Sequence, residues 1–447
     1  METIQVPSQE IPLVADVDVL GVGGGMTGVA AALSAARLGA RTMIIEQFNC
    51  LGGVATSGGH NQLSTYNALA SSTRVLGGIP YELGLEVQHN EDGVIKDGGL
   101  DFDTEAMKIT LDRLMAKAGV EVLYYTLFAD ALVEEGKVWG VILQNKSGRQ
   151  AIRARRVVDC TGDADVAAQT GAPFHQGREQ DGLCQPTTLM FTIRGVDWPR
   201  VQAWWTDWWM EHIWKKAQED GIMEPFQSVI MGFIHNDLTP DQVSINMTHM
   251  VRVDTTDARA LSAATVEGRR QAHHLVEVFR KVVPGMENCY LISTAPSLGT
   301  RESRRIAGEV TLTEQDLLNH RAWEDPVCYG SFFIDIHNPA GPGMSEQTLN
   351  PEKGFHYQIP YRVLVPQKIE NLLVAGRCIS VTHEALGSTR VMLTCMALGE
   401  AAGTAAALSI QQDVPPRILP YPILREQLLR QSVILGDDQI REIPCGE

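Results

Sequence analysis

Asp335 and His337 stand two residues apart in the run FFIDIHNPAG at 332–341. In an extended segment, alternation sends both side chains to one face, so the carboxylate can orient or charge the imidazole. With an unperturbed pKa near ~6.5, a histidine is suited to taking a proton near neutral pH. The chemistry this pair suggests is general base catalysis by His337, with Asp335 as its orienting partner. An equally direct reading makes His337 a structural residue fixing the Asn338-Pro339 turn. His383 and, more weakly, His356 beside Tyr357 are the other histidines placed to meet a ligand. Arg301 heads the cluster Arg301-Glu302-Ser303-Arg304-Arg305. That run reads first as a solvated helix start with i,i+4 pairing. Its alternative is a cation, Arg301, that reaches a substrate carboxylate or hydroxyl. Arg74 and Arg178 are weaker candidates of the same kind.

Such groups need a scaffold, and residues 17–46 describe one. An apolar strand at 17–20 runs into Gly23-Gly24-Gly25-Met26-Thr27-Gly28, which sets glycines at the first, third and sixth places of GxGxxG. Gly23 permits the tight turn, Gly25 lets backbone N–H groups approach a pyrophosphate, and Gly28 lets the next helix pack close. An Ala-rich helix from Thr27 to about Leu38 presents its positive N-terminus to the phosphates. A second strand, 41–45, ends at Glu46, where a carboxylate can accept from both ribose hydroxyls. The spacing predicts a dinucleotide-binding βαβ unit.

A chain of 447 residues is too long for one ordinary core, so two domains are expected. Its formal net charge of −17 argues against nucleic acid or an anionic membrane surface as partner. The N-terminal residues lack the basic and apolar regions of a signal peptide, and no segment approaches the ~20 apolar residues of a membrane span. The eight cysteines are scattered without a CxxC, which disfavours metal sites and dithiol relays and predicts reduced thiols in the cytoplasm.

The glycine-rich stretch 51–59 (LGGVATSGG) brings backbone close to a partner. Residues 104–118 have helical periodicity with Gly119 as the stop. Residues 120–125 form a strand, 129–134 and 138–144 a hairpin around Glu135-Gly136-Lys137, and 155–161 a buried strand. The middle of the chain mixes β-like runs (187–193, 244–251, 332–337) with long helical stretches. Six of the eight tryptophans crowd into 198–214. Trp204, Trp205, Trp208 and Trp209 at helical spacing predict a packed helix or a subunit interface, hence a possible homo-oligomer. After the strand 371–375, Gly376 and Arg377 lead to a helix expected to open at Gly387-Ser388-Thr389. This order predicts a discontinuous nucleotide domain, 1–175 and 356–447, with residues 176–355 inserted as an α+β substrate domain.

The whole pattern resembles the FAD-dependent oxidoreductases with a glutathione-reductase-type fold. The resemblance rests on DVLGVGGGMTGVAAALSAARLGA (18–40), LGGVATSGG (51–59), VVDCTGDADVAAQTGAP (157–173), SLGTRESRRIAGEVTLTEQDL (297–317), FFIDIHNPAG (332–341) and the long run 359–408. It implies an α/β fold with a Rossmann-like domain binding FAD, not NAD. It also implies that Gly23, Gly25, Met26, Thr27 and Gly28 hold the pyrophosphate, and that Glu46 with Gln47 meets the adenosine ribose. Gly52, Gly53 and Val54 would run beside the ribityl chain, Leu127 and Phe128 would contact adenine, and Thr161 and Gly162 would face the pyrophosphate. Where many relatives carry Gly-Asp, this chain has Gly376-Arg377, and an arginine there would pair with the pyrophosphate. Gly387, Ser388 and Thr389 would offer N–H groups to the flavin edge.

The activity implied is removal of hydride from an alcohol, polyol, sugar or amine carbon of a small metabolite. Electrons would leave to oxygen, a quinone or an external carrier, since residues 150–330 hold no second GxGxxG. The competing readings are an NAD-dependent Rossmann dehydrogenase and a non-catalytic or RNA-modifying flavoprotein, the latter disfavoured by the acidic charge.

Overall fold

A computed structural model describes residues 2–5, 7–204, 207–224 and 232–442, with the side chains of 207–212 and 441–442 outside the description. In chain order its main elements are β1 (Leu13–Val22), α1 (Met26–Arg37), β2 (Thr42–Ile45), α2 (Gly78–His89), α3 (Thr104–Ala118), β3 (Glu121–Leu123), β4 (Leu127–Glu134), β5 (Lys137–Asn145) and β6 (Gly148–Asp159). Then come β7 (Phe191–Arg194), β8 (Phe233–His235), β9 (Gln242–Ile245), α4 (Ala258–Val282), β10 (Tyr290–Thr294), β11 (Pro326–Gly330), β12 (Tyr357–Pro360), β13 (Leu372–Val374), α5 (His383–Thr389) and α6 (Met392–Gln411).

The main sheet runs β3-β2-β1-β6-β5-β4, with β13 also on β6. β1, β2, β3, β6 and β13 are parallel, as βαβ crossovers require. The antiparallel β4-β5-β6 meander hangs on the first half of β6, and β13 pairs with its last residues. The β4–β5 turn uses positive φ at both Glu135 (49°) and Gly136 (73°), the backbone that keeps a tight hairpin in twist. α3 starts on the Asp103 side chain, which accepts from the N–H groups of Glu105 and Ala106, and stops at Gly119 (φ 72°). Over the sheet, α6 lies against the backbone of α1. A Cβ on Gly399 would fall 2.1 Å from the Thr27 carbonyl, and one on Gly403 2.0 Å from that of Ala31. α6 is long and apolar enough to cross a membrane, contrary to expectation, yet it is nearly all buried as the central core helix.

The inserted unit is a four-stranded antiparallel sheet, β8-β9-β7-β10, backed by α4. Its alternation is regular. Phe191, Ile193, Val243 and Ile245 enter a core with Phe279 and Trp214, while Thr192, Ser244 and Ser293 pair across the opposite face. Trp198 and Trp204 pack on that core. The side chains of Trp205, Trp208 and Trp209 fall outside the described residues, and with them the expected interface. Leu312, Val327, Cys328, Ile334 and Ile336, all within 176–355, are buried in the main core. The chain returns there through the β11–β12 hairpin. Residues 332–337 form isolated bridges, Ile334 to Leu349 and His337 to Met344, in place of the expected strand.

Candidate functional site

The three glycines of the first turn have separate physical reasons. Gly23 has φ 98°, and a Cβ there would sit 2.5 Å from the Cys160 carbonyl. On Gly28 it would fall 1.9 Å from the Gly23 carbonyl. A Cβ on Gly25 meets nothing within 4 Å, so the protein itself places no demand for glycine there. Gly25 is the N-cap of α1 and no side chain caps it, leaving the first N–H groups of Met26, Thr27 and Gly28 for a ligand. This open cradle at an uncapped helix N-terminus fits a pyrophosphate.

Glu46 is buried at the end of β2. Its Oε2 accepts from Gly24 N–H (2.7 Å) and its Oε1 from Phe48 N–H (2.8 Å), so the carboxylate is held by backbone with lone pairs to spare. Burial raises its pKa despite those bonds. Gln47 points to solvent. Gly52 donates to the Gly24 carbonyl (2.8 Å), which lays the 51–59 loop along the turn, with Gly53 against Gly25 and Val54 exposed. Thr126 donates to the Glu46 carbonyl (2.9 Å), bringing the exposed Leu127 and half-buried Phe128 to the same end of the sheet.

Beyond β6, Thr161 is fastened to Asp159 (Oγ1 to Oδ1, 2.7 Å), a fully buried carboxyl that burial pushes up to about 6. The Arg377 guanidinium reaches Asp163 (2.7 Å) and Ser303 (2.7 Å) and covers Gly162, so its charge already has a carboxylate partner. Gly376 (φ 95°) packs on Thr27, where a Cβ would stand 2.9 Å from Oγ1.

Gly387, Ser388 and Thr389 do not open a helix; they end α5. Gly387 abuts the backbone of Asp335, and Ser388 bonds to Phe332 and Tyr357. Arg390 then turns out to bond Asp335, and the chain restarts as α6 at Met392 with no side-chain cap at Val391. The free N–H groups at this break therefore follow Val391.

Asp335 and His337 face each other as the two-residue spacing suggests, with Nε2 3.4 Å from Oδ1. The stronger partner of Asp335 is Arg390 at 2.6 Å, a residue the sequence reading overlooked because 55 positions separate them. Burial would raise the Asp335 carboxyl, but Arg390 and His337 hold it well below the usual range. Burial drives His337 down to about 3, aided by the charge of Arg301. His249, whose ring centroid lies 6.1 Å from that of His337, and His60 are each pushed by burial to about 4. His383 is buried at the first position of α5, its Nδ1 2.8 Å from the fully buried Glu302. Glu302 also accepts from Gln185 N–H (2.9 Å), and Gln185 Oε1 accepts from His337 N–H (3.3 Å), so one residue links the two histidines.

Arg301 is buried, not part of a solvated helix. Residues 304–306 form a short strand against 174–176, and Arg301 turns inward to the Pro186 carbonyl, Thr188 and Asn246. Arg178 pairs with Asp181, Arg74 stacks on Tyr81, and His356 sits against Tyr329 and Asp437. Several buried polar atoms lack a partner, and many of them gather here. They are His337 Nδ1, His383 Nε2, Gln185 Nε2, Thr187 Oγ1, Thr389 Oγ1 and Arg390 Nε. Buried polar groups are normally satisfied, so their concentration marks a place built for a polar ligand. Among the described residues no group of three metal-ligating side chains forms.

Residues 18–428 match the model of the family described as FAD dependent oxidoreductase. Thiamine thiazole synthase of Methanococcus aeolicus is 30% identical over 161 residues, 34% of this chain and 57% of that protein. Digeranylgeranylglycerophospholipid reductase 2 of Methanothermobacter thermautotrophicus is 26% identical over 192 residues, 40% and 47% of the two chains. The chain thus spans about half the length of these relatives. The structure of a geranylgeranyl bacteriochlorophyll reductase-like protein from Thermoplasma acidophilum superposes with TM-score 0.47 and 13% identity, over 94% of this chain and 84% of that one. With a family match over nearly its whole length, beside an open cradle at α1 and a buried Glu46 at the end of β2, the chain belongs to the FAD-dependent oxidoreductases.

Proposed function

We propose that this enzyme oxidises a carbon bearing a hydroxyl or amino group in a small polar metabolite, with His337 accepting the proton released. FAD, when bound, supplies the two-electron acceptor. The remaining chemistry belongs to side chains. The observation that carries the reading is the state of the His337 ring. Nε2 lies 3.4 Å from Asp335 Oδ1 while Nδ1 is buried without a partner, an arrangement that favours the proton on Nε2 and the lone pair on Nδ1. With its pKa near 3, the ring is neutral at physiological pH, its lone pair unprotonated. Arg390 fixes Asp335 and thereby the tautomer. His383 has the same design, Nδ1 on Glu302 and Nε2 unpartnered, and is the second candidate.

Electrons leave to oxygen, a quinone or a carrier protein. Seven free, buried cysteines among the described residues support a reducing, cytoplasmic setting. The test is anaerobic flavin bleaching against polyols, sugars, hydroxy acids and amines, then stopped-flow reduction by the best substrate. His337→Ala should slow reduction by roughly 10²–10⁴ with FAD still bound. The wild-type rate should be flat from pH 5 to 8, without an inflection near 6.5. A wild-type rate in His337→Ala with a loss in His383→Ala would reverse the two roles.

A further inference from the structure

Arg301 is 8% exposed, and its guanidinium meets only neutral acceptors: the Pro186 carbonyl (3.0 Å), Thr188 Oγ1 (2.6 Å) and Asn246 Oδ1 (3.4 Å). Among the described residues no carboxylate comes within ion-pairing distance of it. The charges that act on it are those of Arg390 and Asp335, which are already paired with each other. Glu302 is likewise taken by His383 and Arg305. Arg301 and Arg390 set against Asp335 therefore leave one positive charge unmatched, since His60, His249 and His337 are neutral around it. An unpaired buried cation is costly, and burial together with Arg390 lowers the Arg301 pKa to about 9. A counter-anion is the missing part.

The sheet that supports Arg301 leads onward. From Thr188 the alternation continues through Met190 to Thr192, and across the strands Thr192 pairs with Ser244 and Ser293. This polar face roofs a cavity of about 270 Å³ whose floor is the 51–59 loop and the first turn of α3. Asn61 lines the cavity, is 5% exposed, and has no partner for Oδ1. The volume falls just below the ~300–1,000 Å³ of drug-sized ligand sites, and its hydroxyl and amide walls, with Asp103, Glu105 and Lys108 at the α3 side, suit hydroxyl groups and not a second carboxylate.

We infer that the substrate is a small hydroxylated carboxylic acid, its carboxylate held by Arg301 and its hydroxylated end in this cavity. The inference rests on the dehydrogenase reading and names the substrate class for that site. It sets the carboxylate on the cation whose charge bears on the His337 ring.

The experiment compares acids with neutral isosteres on the FAD-loaded enzyme: gluconate against glucitol, lactate against propane-1,2-diol, and propionate as an acid with no oxidisable hydroxyl. Binding is read from flavin absorbance and from the rise in Tm. The acids are expected to bind and the neutral partners to fail at equal concentration. Arg301→Gln should weaken the acids roughly 30-fold or more, and Arg301→Lys less. Equal binding of acid and isostere by the wild-type protein overturns the inference without any variant. So does an Arg301→Gln protein that keeps acid binding but loses affinity for sulfite, because Arg301 would then serve the cofactor's charge. Propionate binding that survives His337→Ala, with no acid bleaching the flavin, would sink the base assignment and leave the anion site standing.

Discussion

Replacing Gly25 should remove FAD while leaving the protein folded. Its backbone (φ −63°, ψ 176°) is open to any L-residue, and a Cβ there has nothing within 4 Å. In the apoprotein Gly25→Ala should be neutral or stabilising by ~0.4–1 kcal/mol, through a less flexible unfolded chain. What the new methyl would meet is the ligand over α1. Overpacking of a fitted site costs about 1–3 kcal/mol for a methyl, and the branched side chain of Gly25→Val should exceed that, weakening FAD at least about a hundredfold. Gly28→Ala is the contrast. Its Cβ would overlap the Gly23 carbonyl at 1.9 Å, so the βαβ unit itself should fail, with loss of soluble protein. The assay is bound flavin per chain after gel filtration, alongside thermal unfolding of the apoproteins. A Gly25→Val enzyme that purifies with full flavin refutes the cradle. Apo-Gly25→Ala melting far below wild type refutes the claim that this glycine is kept for the ligand alone.

Glu400 tests the core. Burial raises its carboxyl from 4.5 to about 7, although Ile79 N–H (2.8 Å) and Gln431 (2.9 Å) donate to it. A carboxyl raised on folding binds a proton that the unfolded chain has released, so stability falls as pH rises from 4.5 to 7. Glu400→Gln should remove that slope and exceed wild type at pH 8 by up to ~3 kcal/mol in urea unfolding; lower stability of the variant at pH 8 would show that the carboxylate's hydrogen bonds win. NADH and NADPH should reduce the flavin poorly, because the inserted sheet is antiparallel and, among the described residues, offers no second nucleotide-binding βαβ unit. Rapid stoichiometric bleaching by either would overturn this.

The elements legible in the sequence are those written in local backbone chemistry. The GxGxxG turn, α3 between Asp103 and Gly119, and the Glu135-Gly136 hairpin are each determined within a few residues by positive φ, capping or alternation. The break between α5 and α6 was not legible. Gly387, Ser388, Thr389 and Val391 are weak helix formers but include no proline, so propensity does not place the stop; at the break Arg390 bonds Asp335, 55 positions away. The burial of Arg301 was hidden for the same reason. Its run of charges reads as solvated surface, and only Thr188 and Asn246, 113 and 55 positions distant, take it inside. The helix start expected at Gly387 failed alike, since it was judged without Asp335, whose backbone abuts Gly387.

The site's two histidines are not independent, and this bears on how their variants should be read. Gln185 donates its backbone N–H to Glu302, the partner of His383, and accepts the backbone N–H of His337 on its side chain. Removing His383 leaves Glu302 buried with a lost partner, and the strain passes through Gln185 to the segment that carries His337. A slower His383→Ala enzyme therefore does not by itself name His383 as the base. The pH profile separates the cases. If His383 only positions, the variant keeps the flat profile of a base with a pKa near 3 and loses rate uniformly. If His383 accepts the proton, its removal changes the shape of the profile as well, and His337→Ala alone leaves that shape intact.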